Sequence, residues 1–388
     1  MKKNKNIISM IGIIFSIVLV LSFYGGTNFY IAKRLYQGII LLFSDINIWV
    51  YAVVYIFIAL SIIIGFAPHS FRIKKIMNII ASFWLGIYVY LLIFFLIADI
   101  MILFGRVARI IQSPMPLTTR FWSALIVILL TIVIMIYGKF KATQIKYISY
   151  DIKLKDFVLS DKIKIVMIAD LHLGASDCEK NLPKIIRDIN CLEPDIVCMV
   201  GDIFSDDINL IRNPAIVMDL FRSIRATHGV YACLGNHDGG LTFNEMLTFL
   251  KQSNINLLND EHIVIDGQLV LIGRLDARPI FGFDGFERTG IADVMASVNS
   301  RLPIVVMDHN PSHIDEYGNK FDLLLFGHTH KGQMFPLNLI TNTVHNVNHG
   351  YYQKDIGSPH IIVTSGVSTW GPPIRIGTYN EIVSITLR

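Results

Sequence analysis

The sequence predicts an α/β domain that follows a region of four membrane-spanning helices. Basic and acidic residues are unevenly divided along the chain. Residues 1–142 carry 13 basic and 2 acidic residues, whereas residues 143–388 carry 21 basic and 28 acidic residues. Four long apolar runs lie in the first part, and short apolar runs alternate with helical patterns in the second. We therefore place the transmembrane region at residues 1–142 and a separate domain at residues 143–388.

The composition excludes two classes of protein. Apolar residues make up 53% of the 388-residue chain and charged residues 16%, whereas an average soluble domain carries about 25% charged residues. These values exclude a disordered chain and an enzyme that is soluble throughout. The acidic balance of residues 143–388 argues against a nucleic acid as partner, because polyanions recruit basic surfaces.

Each of the four apolar runs is long enough to cross about 30 Å of hydrocarbon as a helix. The predicted spans cover about residues 7–24, 49–66, 77–98 and 121–138. The first run also resembles a signal peptide, but no clear cleavage site follows it, so we expect a retained helix. Residues 28–43 suit an amphipathic surface helix and a connecting loop equally well. Asp99 either lines a pathway through the membrane or lies at its boundary, and the length of the third run favours the boundary.

The lysines and arginines of the short loops predict the orientation in the membrane. With the N-terminus inside, the inner segments hold nine of them and the outer loops five. The sequence therefore predicts a multi-pass protein of the cell membrane, with residues 143–388 on the cytoplasmic side.

The short apolar runs of the second part have the length of buried strands. The predicted strands are residues 163–169, 195–200, 231–234, 269–272, 304–307, 323–326, 361–363 and 381–387. The helical patterns cover residues 182–189, 215–224, 245–250 and 291–298. Strands that alternate with helices indicate an α/β core. The four cysteines form no C-x-x-C pair, so we expect free thiols.

Five of the strands end in His, Asp or Asn, which are residue types that bind metals. The motifs are Asp170-Leu171-His172, Gly201-Asp202, Gly235-Asn236-His237-Asp238, Asp308-His309-Asn310-Pro311 and Gly327-His328-Thr329-His330. Extended residues i and i+2 point to the same side, so D-x-H and H-x-H can each chelate one ion. Mixed oxygen and imidazole ligands suit Mn²⁺, Fe or Zn²⁺, and one Asp can bridge two ions. Each motif alone is typical of a turn, but five in this order, each closing an apolar strand, predict a metal centre.

The order D-x-H, GD, GNHD, H and GHTH resembles the calcineurin-like metallophosphoesterase superfamily, from about Lys146 to the C-terminus. The later motifs GHTHKGQ at 327–333, SG at 365–366 and PIRIG at 373–377 are similar to those of bacterial membrane-attached phosphohydrolases. Several spans before the domain resemble the transmembrane proteins with a metallophosphoesterase domain. The resemblance implies a four-layer α/β/β/α sandwich with the site at one edge of its facing sheets.

The resemblance also implies a role for each motif residue and a cofactor of two divalent metal ions. The first ion would be held by Asp170, His172 and His330, and the second by Asn236, His309 and His328. Asp202 would bridge the two ions. His237 would act as general acid or stabilise the leaving oxygen.

The sequence departs from the family pattern after the bridging residue. Many relatives carry an Asp three residues after it, which orients the catalytic His, whereas this chain has Ser205 there. Asp206 is therefore our candidate for orienting His237. No Arg follows that position, which disfavours the phosphoprotein phosphatase branch.

Several other charged residues are candidates by residue type alone. Lys331, Arg274, Arg278 and Arg375 are candidate phosphate contacts, although a solvated loop charge or a surface ion pair is the simpler expectation for each. His313, His345, His349 and His360 match no motif and are interpreted as loop or core histidines.

The sequence thus predicts a metal-dependent phosphoester hydrolase, either phosphodiesterase or phosphatase, that acts at the membrane. A metal-bridging hydroxide would attack phosphorus in line, and a lipid-linked phosphoester is the expected substrate. A soluble substrate such as a nucleotide would leave the helices as an anchor only. A catalytically silent metal-binding sensor or scaffold, or a regulator of the helices, is the alternative from another class. The oligomeric state cannot be read from the sequence.

Overall fold

The computed structural model describes residues 2–41, 43, 45–66, 71–112, 114–154, 161–174, 178–298 and 301–388. The chain divides into two compact units, residues 1–136 and 137–388. The division lies within the fourth helix, slightly before the change of composition at residue 142. The last turn of that helix belongs to the second unit, where a Cβ at Gly138 would lie 3.0 Å from atoms of both Ile374 and Ile376.

Each of the four apolar runs forms a helix. The helices are α1 (Lys2–Ile39), α2 (Ile48–Phe66), α3 (Phe71–Val107) and α4 (Leu117–Ala142). Among the described residues, the four segments that are long and apolar enough to cross a membrane are Ile14–Ile39, Ile48–Gly65, Ile73–Val107 and Leu117–Ala142. Their number agrees with the sequence-based prediction.

The first helix corrects the sequence-based prediction. It continues through residues 28–39, which therefore form neither a separate surface helix nor a loop. Contacts with neighbouring helices account for the continuation. Ile31 is fully buried, and Tyr55 on α2 donates a hydrogen bond to the Asn28 side chain at 3.2 Å.

Asp99 lies within α3 and has two polar partners on α1. Its Oδ1 lies 2.9 Å from Arg34 Nη2, and its Oδ2 accepts a hydrogen bond from Tyr30 at 2.6 Å. The Arg34 guanidinium also lies over the Phe95 ring, 5.4 Å from its centroid. The negative charge of Asp99 is therefore compensated within the first unit.

The second unit contains two six-stranded sheets. The first has the order β1-β12-β2-β3-β4-β5 and the second the order β10-β11-β9-β8-β7-β6. The strands are β1 (Ile145–Ile152), β2 (Ile163–Ile168), β3 (Ile196–Val200), β4 (Val230–Cys233), β5 (Asn256–Leu257), β6 (Glu261–Ile265), β7 (Leu269–Gly273), β8 (Ile304–Met307), β9 (Leu323–Phe326), β10 (Gly350–Tyr352), β11 (His360–Val363) and β12 (Asn380–Leu387). The helices are α5 (Cys178–Cys191), α6 (Pro214–Arg222), α7 (Phe243–Gln252), α8 (Ile291–Met295) and α9 (Leu337–Val344).

Successive side chains along a strand face opposite sides of its sheet and so pack into different layers of the domain. On β2, Ile165 and Met167 join the apolar cluster between the two sheets, whereas Val166 and Ile168 join the cluster beneath α5, α6 and α7. On the far side of the second sheet, residues of β7, β8 and β9 pack beneath α8. The predicted α/β/β/α sandwich is confirmed.

The sequence identified the buried strands and missed the peripheral ones. Every predicted strand appears with its ends shifted by no more than one residue, whereas β1, β5, β6, β10 and α9 were not predicted. Strand β1 alternates polar and partly buried residues and β5 has only two residues, so neither forms an apolar run. None of the four cysteines is in a disulfide, and only Cys191 among them is exposed.

Candidate metal centre

The ends of β2, β3 and β4 in the first sheet and of β8 and β9 in the second bring the motif residues together. Five of these residues have left-handed backbone conformations, with φ between 47° and 70°: Asp170, His172, Asp202, His328 and His330. Such conformations are costly for residues other than glycine and concentrate at functional sites. The sheets thus hold the backbone while the strained turns direct the side chains.

The first group of possible ligands consists of Asp170, His172 and His330, which are all buried. Their donor atoms lie within 4.8 Å of one another. His172 Nε2 is 3.2 Å from His330 Nε2, which in turn is 3.4 Å from Asp170 Oδ1. One carboxylate and two imidazoles can therefore face a single ion.

The second group consists of Asp202, His309 and His328, again with donor atoms within 4.8 Å. His309 Nε2 lies 3.2 Å from Asp202 Oδ2. Asn236 joins this group, because its Oδ1 lies 2.8 Å from His328 Nδ1. The residues proposed for the second ion are thus adjacent.

Asp202 reaches both groups. Its Oδ2 is 3.2 Å from His309 Nε2 and 3.7 Å from His172 Nε2. Its Oδ1 accepts a hydrogen bond from the backbone N–H of His237 at 2.9 Å. This carboxylate therefore lies beside imidazoles of both groups.

A hydrogen bond from Nδ1 of His309 to the Val200 carbonyl orients Nε2 of the ring toward Asp202. This bond is 2.9 Å long and leaves the lone pair of a neutral ring on Nε2. That lone pair would face the carboxylate of Asp202, and Nε2 has no hydrogen-bond partner. Only a proton or a metal ion between the two atoms relieves this repulsion.

Glycines make room for the ligands. A Cβ at Gly201 would lie 2.5 Å from the His309 ring, and a Cβ at Gly327 would lie 2.8 Å from Asp170 Oδ2. A Cβ at Gly235 would overlap Asp202 Oδ1. The glycines of three motifs thus allow the ligands to lie directly against the backbone, and the donor set fits divalent ions.

Burial keeps three of the histidines neutral. It lowers the pKa of His172 and of His328 to about 3, and burial together with the Arg375 charge holds the pKa of His330 well below its usual range. Neutral imidazole is the form that binds metal. These rings are therefore ready ligands at neutral pH.

The carboxylates and His309 share protons when no cation is bound. Burial raises the pKa of Asp170 to about 7, and the nearby Asp202 charge adds to the effect. Burial also opposes ionisation of Asp202 and His309, but their mutual attraction outweighs it, lowering the pKa of Asp202 and raising that of His309. Divalent ions compete with such protons, so binding releases them.

His237 lies beside both groups rather than within them. Its Nδ1 is 2.8 Å from Asp206 Oδ1, and its ring centroid lies 5.2 Å from that of His172 and 5.8 Å from that of Trp370. Burial disfavours the charged ring, but the hydrogen bond to Asp206 and the Asp202 charge outweigh burial and raise the pKa of His237. The raised pKa favours the protonated imidazole, which is the form that suits a proton donor.

Two arginines correct the sequence-based interpretation. Arg375 is fully buried, and it donates from Nη1 to the His330 carbonyl at 2.9 Å and from Nη2 to the Ser365 carbonyl at 2.7 Å. Arg274 is also fully buried and pairs with Asp260 at 2.7 Å. Both are therefore structural, and the prediction of a phosphate contact is wrong for them. Arg278 is exposed.

Three further residues near the centre make contacts that the sequence did not predict. Asp238 accepts hydrogen bonds from the backbone of Phe204 and of Gly235, both at 2.8 Å, and so ties two motif turns together. The ring of His345 lies 6.0 Å from that of His328, although we interpreted it as a loop or core residue. Lys331 lies over the Tyr379 ring at 5.3 Å, so it is more than a solvated loop charge.

Such a sandwich, with carboxylates and imidazoles gathered at converging strand ends, defines an α/β domain with a candidate metal centre. Comparison with known proteins specifies its family. Residues 163–332 match the calcineurin-like phosphoesterase family, and the chain carries a calcineurin-like metallophosphoesterase domain.

Relatives extend this likeness over the membrane helices. An uncharacterized metallophosphoesterase of Campylobacter jejuni is 29% identical over 389 residues, covering 98% of this chain and 99% of the relative. A transmembrane protein with metallophosphoesterase domain from Danio rerio is 26% identical over 326 residues, covering 78% and 72%. A solved dimetal phosphatase from Danio rerio superposes with a TM-score of 0.30 at 11% identity, covering 52% of this chain and 86% of that one.

Proposed function

We propose that this protein is a metal-dependent phosphoester hydrolase of the cell membrane, either a phosphodiesterase or a phosphatase. The position of Asp202 carries the proposal, because one of its oxygens faces His309 and His172 while the other holds the backbone of His237. The first ion would be held by Asp170, His172 and His330, the second by Asn236, His309 and His328, and Asp202 would contact both. The donor set suits Mn²⁺, Fe or Zn²⁺.

Two bound divalent ions would supply Lewis acidity, which activates water and neutralises charge on a transferring phosphoryl group. The chain's own residues fix the geometry of attack. His237 shares a turn with Asn236, and Asp206 holds its Nδ1, so Nε2 remains to give a proton to the leaving oxygen. Arg375 fixes the turn that carries His330.

A lipid-linked phosphoester is the substrate that agrees best with the rest of the chain. Four helices of membrane length exceed what anchoring alone requires, and they keep the domain beside the lipids. The acidic balance of residues 143–388 disfavours a nucleic acid. The loop charges favour a cytoplasmic location for the domain.

Hydrolysis of a chromogenic phosphodiester and its monoester by the purified full chain tests the proposal. Turnover should require Mn²⁺, should stop with a chelator, and should be lost in His237→Ala and Asp202→Ala. His360→Ala is the matched control, because His360 lies on β11 and contacts Tyr351. If metal-loaded protein hydrolysed neither soluble nor lipid phosphoesters, the proposal would fail and a silent sensor or scaffold would be favoured.

A further inference from the structure

Helix α9 exposes apolar residues close to the metal centre. It follows the turn of His330, and none of its residues is buried. Leu339, Ile340 and Val344 are 55%, 59% and 67% exposed. Ile340 and Val344 are four residues apart and share one face of the helix. A cluster of this kind marks a surface that contacts another apolar phase.

The helix is held rigidly to the turn of His330. A Cβ at Gly332 would overlap the backbone of Asn338, so the two segments are in direct backbone contact. The N–H of Leu337 also donates to the Met334 carbonyl at 2.8 Å. Whatever α9 contacts is therefore positioned relative to the metal centre.

Trp370 extends the apolar surface to the mouth of the site. Its ring is 47% exposed and lies 5.8 Å from the ring of His237. Gln333 holds it there through two hydrogen bonds of 2.8 Å, one to the carbonyl and one from the N–H of residue 370. Tryptophan is favoured where lipid meets water.

The same surface adjoins the end of α4. Phe335, which precedes α9, is half-exposed and donates its N–H to the Ile376 carbonyl at 2.8 Å. The N–H of Arg375 donates to the Gly138 carbonyl at 2.9 Å. Gly138 lies in the last turn of α4, where the fourth membrane-length segment ends.

Lysines lie in the last turn of α4 and around the Tyr379 ring. Lys139 and Lys141 lie in the last turn of α4. The ammonium groups of Lys146 and Lys331 lie 4.2 Å and 5.3 Å from the centroid of the Tyr379 ring. Apolar side chains bordered by lysines are the pattern of a surface that lies on an anionic bilayer.

We propose that α9, Phe335 and Trp370 form an interfacial surface that lies on the bilayer in which the chain's own helices are embedded. The apolar side chains reach the acyl region, and Lys146 and Lys331 lie at the level of the lipid phosphates. The consequence for catalysis rests on the proposed function: an amphiphilic phosphoester reaches His237 past Trp370 without leaving the membrane.

Quenching by lipid tests the surface without any assay of activity. The full chain is prepared in nanodiscs with Cys191→Ser, which removes the exposed thiol, and a fluorophore is attached at Ile340→Cys. Ile216→Cys is the matched control, because Ile216 is 58% exposed on α6. Nitroxide-labelled lipids should quench the label at residue 340 and leave the label at residue 216 bright. Equal quenching at the two positions would overturn the proposal.

A second experiment compares substrates. In the double variant Leu339→Gln and Ile340→Gln, the ratio of lipid-borne to soluble phosphodiester turnover should fall about tenfold, because two apolar contacts with lipid are lost. Ile216→Gln should leave the ratio unchanged. A wild-type ratio in the double variant would contradict the inference. If the wild type hydrolysed neither substrate, the proposed function would fail, while the quenching result would still decide the surface.

Discussion

His237 and Asp206 are joined at two points. The Nδ1 of His237 lies 2.8 Å from Asp206 Oδ1, and the N–H of Asp206 donates to the His237 carbonyl at 3.0 Å. Asp206 has a φ of 62°, a left-handed conformation that aspartate tolerates better than most residues. Many relatives have the orienting Asp at the position of Ser205. In this chain Asp206, one position later, makes the contact expected of that carboxylate.

Asp206→Asn should lower kcat by about tenfold to a hundredfold and move the alkaline limb of the pH profile to lower pH. The hydrogen bond to Asp206 helps to raise the pKa of His237, and a proton donor is active below its own pKa. Losing the carboxylate lowers that pKa, so the protonated form disappears at a lower pH. Rates measured from pH 5 to 10 with saturating metal check this.

Asp207→Asn is the control for that change. Asp207 Oδ1 accepts from the N–H of Asn209 and caps its own turn, a role that asparagine also fills. Its profile should match that of the wild type. An Asp206→Asn profile with an unshifted alkaline limb would contradict the assigned role of Asp206.

The two ligand groups predict separate losses of metal. His172→Ala should lose the ion of the first group and His328→Ala that of the second, and Asp202→Ala should weaken both because its carboxylate faces both groups. Metal analysis after equilibrium dialysis measures this, and His360→Ala should bind as the wild type does. An unchanged metal content in His172→Ala would count against the first group.

Gly235→Ala should abolish tight metal binding although it adds only one methyl group. The added Cβ would overlap both the side chain and the backbone N of Asp202, which is held by the N–H of His237. Gly318→Ala is the matched control, since its Cβ would meet nothing within 4 Å. Isothermal titration with Mn²⁺ compares the two, and equal affinities would show that Asp202 can move aside freely.

Glu381 should stabilise the fold at neutral pH and not in acid. Burial favours its protonated form, but the hydrogen bond with His349 and those from Ser365 and Thr364 outweigh burial and lower its pKa. Its contribution is therefore complete above the unfolded pKa of about 4.3 and is lost as the pH falls through the folded value. Glu381→Gln should lower the free energy of unfolding by about 1–3 kcal/mol at pH 7, because its buried hydrogen-bond partners lose an ionised acceptor.

Thermal unfolding in detergent at pH 7 and at pH 4 measures this effect. The difference in Tm between the wild type and Glu381→Gln should shrink at the lower pH. The exposed Glu287→Gln should unfold like the wild type at both pH values. A difference that stayed constant between the two pH values would show that ionisation of Glu381 is not what stabilises the fold.

Arg34 and Asp99 should be energetically coupled in the first unit. Asp99→Asn and Arg34→Gln should each lower stability by about 1–3 kcal/mol, and the double variant should lose less than the sum, because each single change leaves one charge without its partner. Thermal unfolding of the four proteins in detergent gives the coupling. Asp45→Asn, the other acidic residue of residues 1–142, is the control, and strictly additive losses would contradict the prediction.

The sequence best predicted those features that depend on residues close together along the chain. An apolar run followed by Asp-x-His or His-x-His predicts both a buried strand and the functional residues at its end. All the strands of this kind were identified from the sequence. The contact between His237 and Asp206 was also predicted, because the family resemblance implies an orienting Asp at the position of Ser205 and Asp206 follows directly.

Long-range packing could not be predicted in the same way. Arg375 carries the positive charge expected of a phosphate contact. Only the fold shows that its guanidinium is buried against the turn of His330. Residues 28–39 have a mixed pattern, and neighbouring helices decide that they extend α1. Strand β1 has no apolar run, since its position depends on pairing with the distant β12.

That pairing determines when the domain can be completed during synthesis. Strand β12 lies between β1 and β2, parallel to the first and antiparallel to the second, so the two strands made soonest after α4 are joined by a strand made after β3 to β11. Until residues 380–387 are made, β1 has no partner strand and β2 has one unpaired edge. The sheet can therefore close only after synthesis has passed β12.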